Sequence, residues 1–263
     1  MTATTMSSVL SEVLNGVALL TLNRPDAMNS INAELSADLG RALEAAHLDD
    51  DVRAIVLTGS GRAFCAGADL KAVAAGGLLH DPNHPEWGVA GLVRHWVSKP
   101  VIAAVNGYAL GGGMELVLAC DLAVADENAV FGLPETTVGL VAGAGGLVRL
   151  AQQVPRKIAL ELVLTGRRLS AERARELGLV NEVVSSGTAI DSAISLASAI
   201  AANAPIAVRE SKALVHRARH HDDWADHIWN DNDTVFNTVL ASDDAREGAQ
   251  AFAEKRAPVW SGR

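Results

Sequence analysis

In NGYALGGGMELVLACD, three consecutive glycines, Gly111, Gly112 and Gly113, are followed by Met114, Glu115 and an apolar run. If the strand VIAAV ends at Asn106 and Gly107 and a helix begins near Gly112, the glycines fall where helix-terminal N–H groups have no internal partner. Such a terminus can bind an anion, and the missing Cβ lets a ligand atom come close to the backbone. Glu115 follows Gly112 by three residues, about one helical turn, so its carboxylate stands beside that donor. The same glycines would also suit close packing of strand on helix, with Glu115 complementing the helix dipole.

GRAFCAGADLK, residues 61–71, has the same character: Ala66, Gly67 and Ala68 lead from the strand AIVLTG toward a short helix. A backbone N–H at Ala68 supplies a second donor, and two donors converging on one oxygen are what an enolate or a tetrahedral oxyanion requires. A tight loop with Asp69 as helix N-cap is the plainer alternative. The third element is Glu135 in FGLPE, where Pro134 limits the backbone and Gly132 permits a bend. If the intervening chain returns along the sheet, Glu115 and Glu135 face one cavity. Paired carboxyls in a partly apolar site take different protonation states, one a base and the other an acid.

The elements that must hold these groups alternate. GVALLTLNRP reads as a strand halted at Pro25, and INAELSADLGRALEAAHL puts Ile31, Leu35, Leu39, Ala42, Leu43 and Ala46 on one helical face. VRAIVLTG and PVIAAVNG are short, β-branched and closed by glycine, as buried strands are, and 121–135 continues as two strand-like pieces around a turn. From about residue 150 helical patterns dominate, with a plausible N-cap at Ser170–Glu172, a stop at Gly178 and one short strand, NEVV. This order predicts an α/β layered fold. We place a core at 1–195 and a helical oligomerisation region at 196–263.

The chain has 263 residues, 22 basic and 31 acidic, for a formal charge of −9, and no Lys/Arg block. That balance argues against nucleic acid or an anionic membrane as partner. Charged residues at 20 % are somewhat few, which favours a soluble oligomer. Cys65 and Cys120 are too few for a disulfide framework, and no Cys/His set has metal-ligand spacing. The opening MTATTMSSVL shows neither a signal nor a transit pattern, so a cytoplasmic protein is expected. His80, His84 and His95 are expected on the surface or in packing, and His216, His220 and His221 on a solvated helix face. Trp87, Trp96, Trp224 and Trp229 are expected in packing or subunit contacts.

Taken together, NRPDAMNSIN, AIVLTGSGRAFCAGADLK, KPVIAAVNGYALGGGMELVLACD, FGLPETTVGLVAGAGG, LTGRRLSAERARELGLVNEVV and ASDDAREGAQAFAEKR resemble, in order and over nearly the whole chain, the crotonase superfamily of enoyl-CoA hydratases and isomerases. The resemblance implies a spiral of ββα units, with terminal helices mediating a homotrimer or a dimer of trimers. It implies an acyl-CoA thioester whose carbonyl oxygen is held by the N–H groups of Ala68 and Gly112. Coenzyme A enters as part of the substrate, and no separate cofactor or metal is implied. In hydrating members two glutamates hold the attacking water, and the matching positions are Glu115 and Glu135. Ala66, Asp69, Leu70 and Lys71 complete the first loop, while Phe252 and Lys255 from a neighbouring subunit match positions near the nucleotide end of CoA.

The implied reaction is syn addition of water to a 2-trans-enoyl-CoA. An isomerase of the same fold needs a single base, and a dehydratase for a polar acyl group such as carnitinyl-CoA shares the machinery. A non-catalytic acyl-CoA-binding protein is the alternative from another class; a serine hydrolase lacks its Gly-x-Ser-x-Gly turn. Ala142 stands where many relatives carry proline, and 72–96, the least recognisable stretch, is expected to be a mobile flap that sets chain-length preference.

Overall fold

Asn15 and Gly16 both take positive φ, 51° and 79°, the geometry of a two-residue hairpin turn. They join β1 (Val9–Leu14) to β2 (Val17–Leu22) in antiparallel register, with Val13 opposite Ala18. The computed structural model describes residues 7–219 and 221–263. The first six residues of the opening segment and His220, on which sequence expectations also fall, lie outside the described residues.

After the hairpin comes α1 (Ala33–Leu48), whose N-cap is Asn32: its side chain accepts a hydrogen bond from the Leu35 N–H at 2.9 Å. Ile31 therefore does not join the helical face as expected. It is fully buried ahead of the helix and bridges in parallel to Ala68. The chain continues through β3 (Ala54–Gly59), β4 (Ala63–Cys65), α2 (Leu70–Ala74), β5 (Val101–Val105), β6 (Tyr108–Leu110), α3 (Gly112–Ala119), β7 (Leu122–Asp126) and β8 (Val130–Gly132). There follow α4 (Gly146–Gln153), α5 (Arg156–Thr165), β9 (Leu169–Ser170), α6 (Ala171–Glu176), β10 (Glu182–Val184) and α7 (Ala189–Ala201). The last helices are α8 (Pro205–Ala218), α9 (Asp226–Leu240) and α10 (Asp243–Glu254).

Two sheets share these strands. One has the order β1-β2-β3-β5-β7-β10, parallel beyond the opening hairpin, and the other β4-β6-β8-β9, with only β9 antiparallel. Each pair β3-β4, β5-β6 and β7-β8 thus gives its first strand to the larger sheet and its second to the smaller one. Repetition of that step winds the spiral that the resemblance implies. Every residue of β3 and of β5 is buried, because both faces of that sheet are covered, which is why these strands read as continuous apolar runs. Ile55 and Leu57 join the main core, whereas Ala54 and Val56 face the other way with Ala193 and Ala197 of α7. Position 195 lies inside α7, a continuous helix packed on β3, β5 and β7.

The 72–96 stretch is held at one end by a stack of rings. Trp87 lies between His84 and His95, with centroids 3.9 and 4.6 Å away, and His95 Nε2 is 2.9 Å from Glu44 on α1. His216 is not simply solvated: it lies 3.0 Å from Asp121 and edge-on to Trp96, because α8 folds back over the start of β7. His221 instead bonds to His227 at 3.1 Å. Among the described residues no single helix is long and apolar enough to cross a membrane.

Candidate active site

In the smaller sheet β4, β6 and β8 run parallel, so the loops that leave their C-terminal ends open along one edge. Ligands of parallel sheets gather at such an edge. The first of these loops carries Ala66, Gly67, Ala68 and Asp69, the second Gly111 and Gly112, and the third Glu135.

The first loop is fixed by a parallel bridge: the Ile31 N–H donates to Gly67 O, and the Asp69 N–H to Ile31 O, both at 2.8 Å. Between them the Ala68 N–H has no partner among the described residues. Gly67 has φ +98°, and a Cβ there would lie 2.9 Å from Leu110 O and 3.3 Å from Gly112 N. Backbone therefore meets backbone between the two loops. Asp69 caps α2, accepting from the Ala72 N–H, and its carboxylate pairs with Arg24 at 3.0 Å. The Arg24 hydrogen bond holds the Asp69 carboxyl below its ordinary range despite burial. Leu70 and Lys71 are exposed on α2.

Gly112 is the first residue of α3, and its N–H is likewise without a partner among the described residues. Both readings of the glycines hold, because a Cβ on Gly113 would lie 1.9 Å from Cys65 O, so α3 sits directly on β4. Glu115, one turn into α3, is only 4 % exposed. Its Oε1 accepts a hydrogen bond from the Gly146 N–H at 2.8 Å, and a Cβ on Gly146 would lie 2.9 Å from that oxygen. Burial pushes the Glu115 carboxyl above its ordinary range; the Gly146 N–H opposes the rise, the Glu135 charge adds to it and Arg149 opposes it.

Glu135 opens a 3₁₀ turn, Glu135–Val138, three residues beyond Gly132 at the end of β8. The pairing of β8 with β6, sealed by the Gly111 N–H to Gly132 O bond at 2.8 Å, carries Glu135 to Gly111. A Cβ on Gly111 would stand 3.2 Å from Glu135 Oε1. Oε2 is buried with no partner among the described residues, and burial raises this carboxyl as well. Two carboxyls and two unpartnered amides thus share one edge of one sheet. That set can hold a water and a developing oxyanion together.

Phe252 and Lys255 stand elsewhere in the single chain, at the exposed end of α10, and among the described residues no hydrogen bond or ion pair joins Lys255 to these loops. A cavity of about 2090 Å³ is also separate; Trp96, Asp121, Arg149, Lys212 and Arg219 are among its walls, but none of Ala68, Gly112, Glu115 and Glu135 is. Both cysteines are free, and burial raises their thiols, Cys65 to about 12.

A family model described as enoyl-CoA hydratase/isomerase matches residues 12–263. The chain belongs to the enoyl-CoA hydratase/isomerase family. It is similar to the carnitinyl-CoA dehydratase of Salmonella typhi, 45 % identical over 98 % of this chain and all of the relative. Among solved structures, an enoyl-CoA hydratase from Mycobacterium tuberculosis superposes with a TM-score of 0.92 at 45 % identity, covering 98 % of this chain and all of that one. A carnitinyl-CoA dehydratase from Mycobacterium avium gives 0.80 at 51 % identity, with the same coverage. In this hydratase/isomerase fold, sequence reasoning missed Gly146 and Arg149 as neighbours of Glu115. The VAGAGG motif was the available signal, since paired glycines just before a helix mark a close backbone approach.

Proposed function

We propose that this chain is an enoyl-CoA hydratase, adding water reversibly and syn across a 2-trans-enoyl-CoA to give a 3-hydroxyacyl-CoA. The observation that carries the reading is the pair of buried carboxyls beside two unpartnered backbone N–H groups. Water attack at the β-carbon of an enoyl thioester builds negative charge on the thioester oxygen. The Ala68 and Gly112 amides hold that oxygen, and loss of one such donor raises a barrier by about 3 to 4 kcal/mol.

Glu115 and Glu135 orient the water. The Gly146 N–H and the charge of Arg149 favour an ionised Glu115, whereas Glu135 Oε2 is buried without a donor, an environment that favours the proton. Glu115 then takes the proton from water as its oxygen adds at the β-carbon, and the Glu135 proton goes to the α-carbon. The pair titrates as a unit. Ala66, Asp69, Leu70 and Lys71 line the approach of the CoA moiety, and Phe252 and Lys255 reach it from a neighbouring subunit of a homotrimer.

The test is loss of enoyl-thioester absorbance on adding the protein to crotonyl-CoA. Glu115→Gln and Glu135→Gln each slow the reaction by about two to four orders of magnitude; wild-type rates in both variants exclude the mechanism. A second reading, removal of water from carnitinyl-CoA, draws support from the names of the Salmonella and M. avium relatives. It uses the same groups in reverse, and kcat/KM measured side by side for crotonyl-CoA and for carnitinyl-CoA separates the two.

A further inference from the structure

Arg149 lies on α4, directly behind the turn that holds Glu115. Its Nη2 donates to Val93 O at 2.5 Å and its Nη1 to Ala144 O at 3.4 Å. Gly145, at φ +99°, lets the guanidinium in: a Cβ there would lie 2.3 Å from Nη1. On the other side of the same turn the Gly146 N–H donates to Glu115 Oε1. One guanidinium therefore ties the 80–96 stretch, itself stacked against α1 through Trp87 and His95, to the backbone that aims a hydrogen bond at the buried carboxylate.

We propose that Arg149 is a positioning residue for the reaction, fastening the Val93 wall to the 144–146 turn so that the Gly146 N–H stays aimed at Glu115. The inference rests on the hydro-lyase reading for its catalytic meaning. The guanidinium presents its donors in a rigid planar fork that fixes the direction of both carbonyls, whereas an ammonium is a point charge with rotatable donors on a flexible stem. The charge also acts, opposing the rise that burial imposes on the Glu115 carboxyl. The charged groups facing Glu115 are Glu135, from the 3₁₀ turn, and Arg149, from α4; the titratable groups around Arg149 are Glu115, Arg219 just past α8, and the Cys120 thiol at the end of α3.

The experiment separates the fork from the charge. In protein carrying 13C-labelled glutamate and Glu135→Gln, so that a single carboxyl titrates in the site, the Glu115 carboxyl signal is followed with pH. Arg149→Gln moves its midpoint up, and Arg149→Lys returns it. With Glu135 intact, Arg149→Lys still lowers kcat by about ten- to a hundredfold with KM unchanged. A midpoint unmoved in Arg149→Gln, or wild-type kcat and KM in Arg149→Lys, overturns the proposal. Should the glutamine variant not fold, the lysine variant decides alone through kcat. The titration needs no substrate, so a wild-type protein that hydrates no acyl-CoA defeats the hydratase reading while the midpoints still judge Arg149.

Discussion

Burial raises the carboxyls of Glu115 and Glu135 in the folded chain, and linkage turns that rise into a stability effect. A group whose folded pKa exceeds its unfolded value stabilises the fold below the unfolded pKa, here the ordinary carboxylate range, and that contribution is lost as pH rises through the folded pKa. At neutral pH the pair therefore opposes folding. Replacing Glu135 with Gln is expected to raise the Tm at pH 7 by a few degrees, a difference that shrinks as the pH falls below about 4, measured by calorimetry at both pH values. In activity the same rise moves both limbs of a bell-shaped rate profile upward from the ordinary carboxylate range, because the acid limb reports protonation of the base and the alkaline limb loss of the acid's proton. At Gly113 the constraint is steric. A methyl 1.9 Å from Cys65 O must push α3 off β4, so Gly113→Ala is expected to lose about 1 to 3 kcal/mol by denaturant unfolding and to lower kcat, since Gly112 moves with it.

The elements show why part of this was legible in the sequence. The buried strands β3 and β5 announce themselves as apolar β-branched runs, and the glycine-rich turns after β4 and before α3 mark the edge where the site forms. The pair Glu115 and Glu135 could be named but not placed, because what brings them together is the pairing of β6 with β8, a long-range register that no local pattern encodes. Strand β1 was missed although Asn15-Gly16 is a strong hairpin signal, because its outward side chains, such as Leu14, are exposed apolar residues that break the alternation. The start of α1 was misread for a similar reason. Ile31 fits the helical period, but Asn32 caps the helix, and Ile31 spends its backbone bonds on Gly67 and Asp69 instead. Asn32→Ala is therefore expected to reduce stability by about 1 kcal/mol, seen as a Tm lowered by about 2 to 4 °C. Its effect on kcat should exceed that of a comparable cap loss at Ser170, which caps α6 away from Ala68.

Across the whole molecule, large apolar side chains are exposed in several places, and the C-terminal helices carry one such group. Helices α8 and α9 bury no residue at all, yet Trp224 is 81 %, Phe236 61 % and Phe252 88 % exposed. Large exposed apolar residues clustered on adjacent elements mark an association surface, and for a chain carrying −9 formal charge the association must bring apolar faces together against mutual repulsion. The proposed homotrimer meets both demands and gives Phe252 and Lys255, remote from the loops of their own chain, a neighbour's CoA to touch. Sedimentation is then expected to give three times the 27.4 kDa chain mass, or six times it for a dimer of trimers, more stably at high salt than at low. Phe236→Glu should shift the species toward monomer. Phe252→Ala should leave the assembly intact but raise KM for acyl-CoA with little change in kcat, because the proposed contact is with the nucleotide end and not with the reacting carbons. A monomer with full activity and an unaltered KM in Phe252→Ala would show that each chain completes its own site.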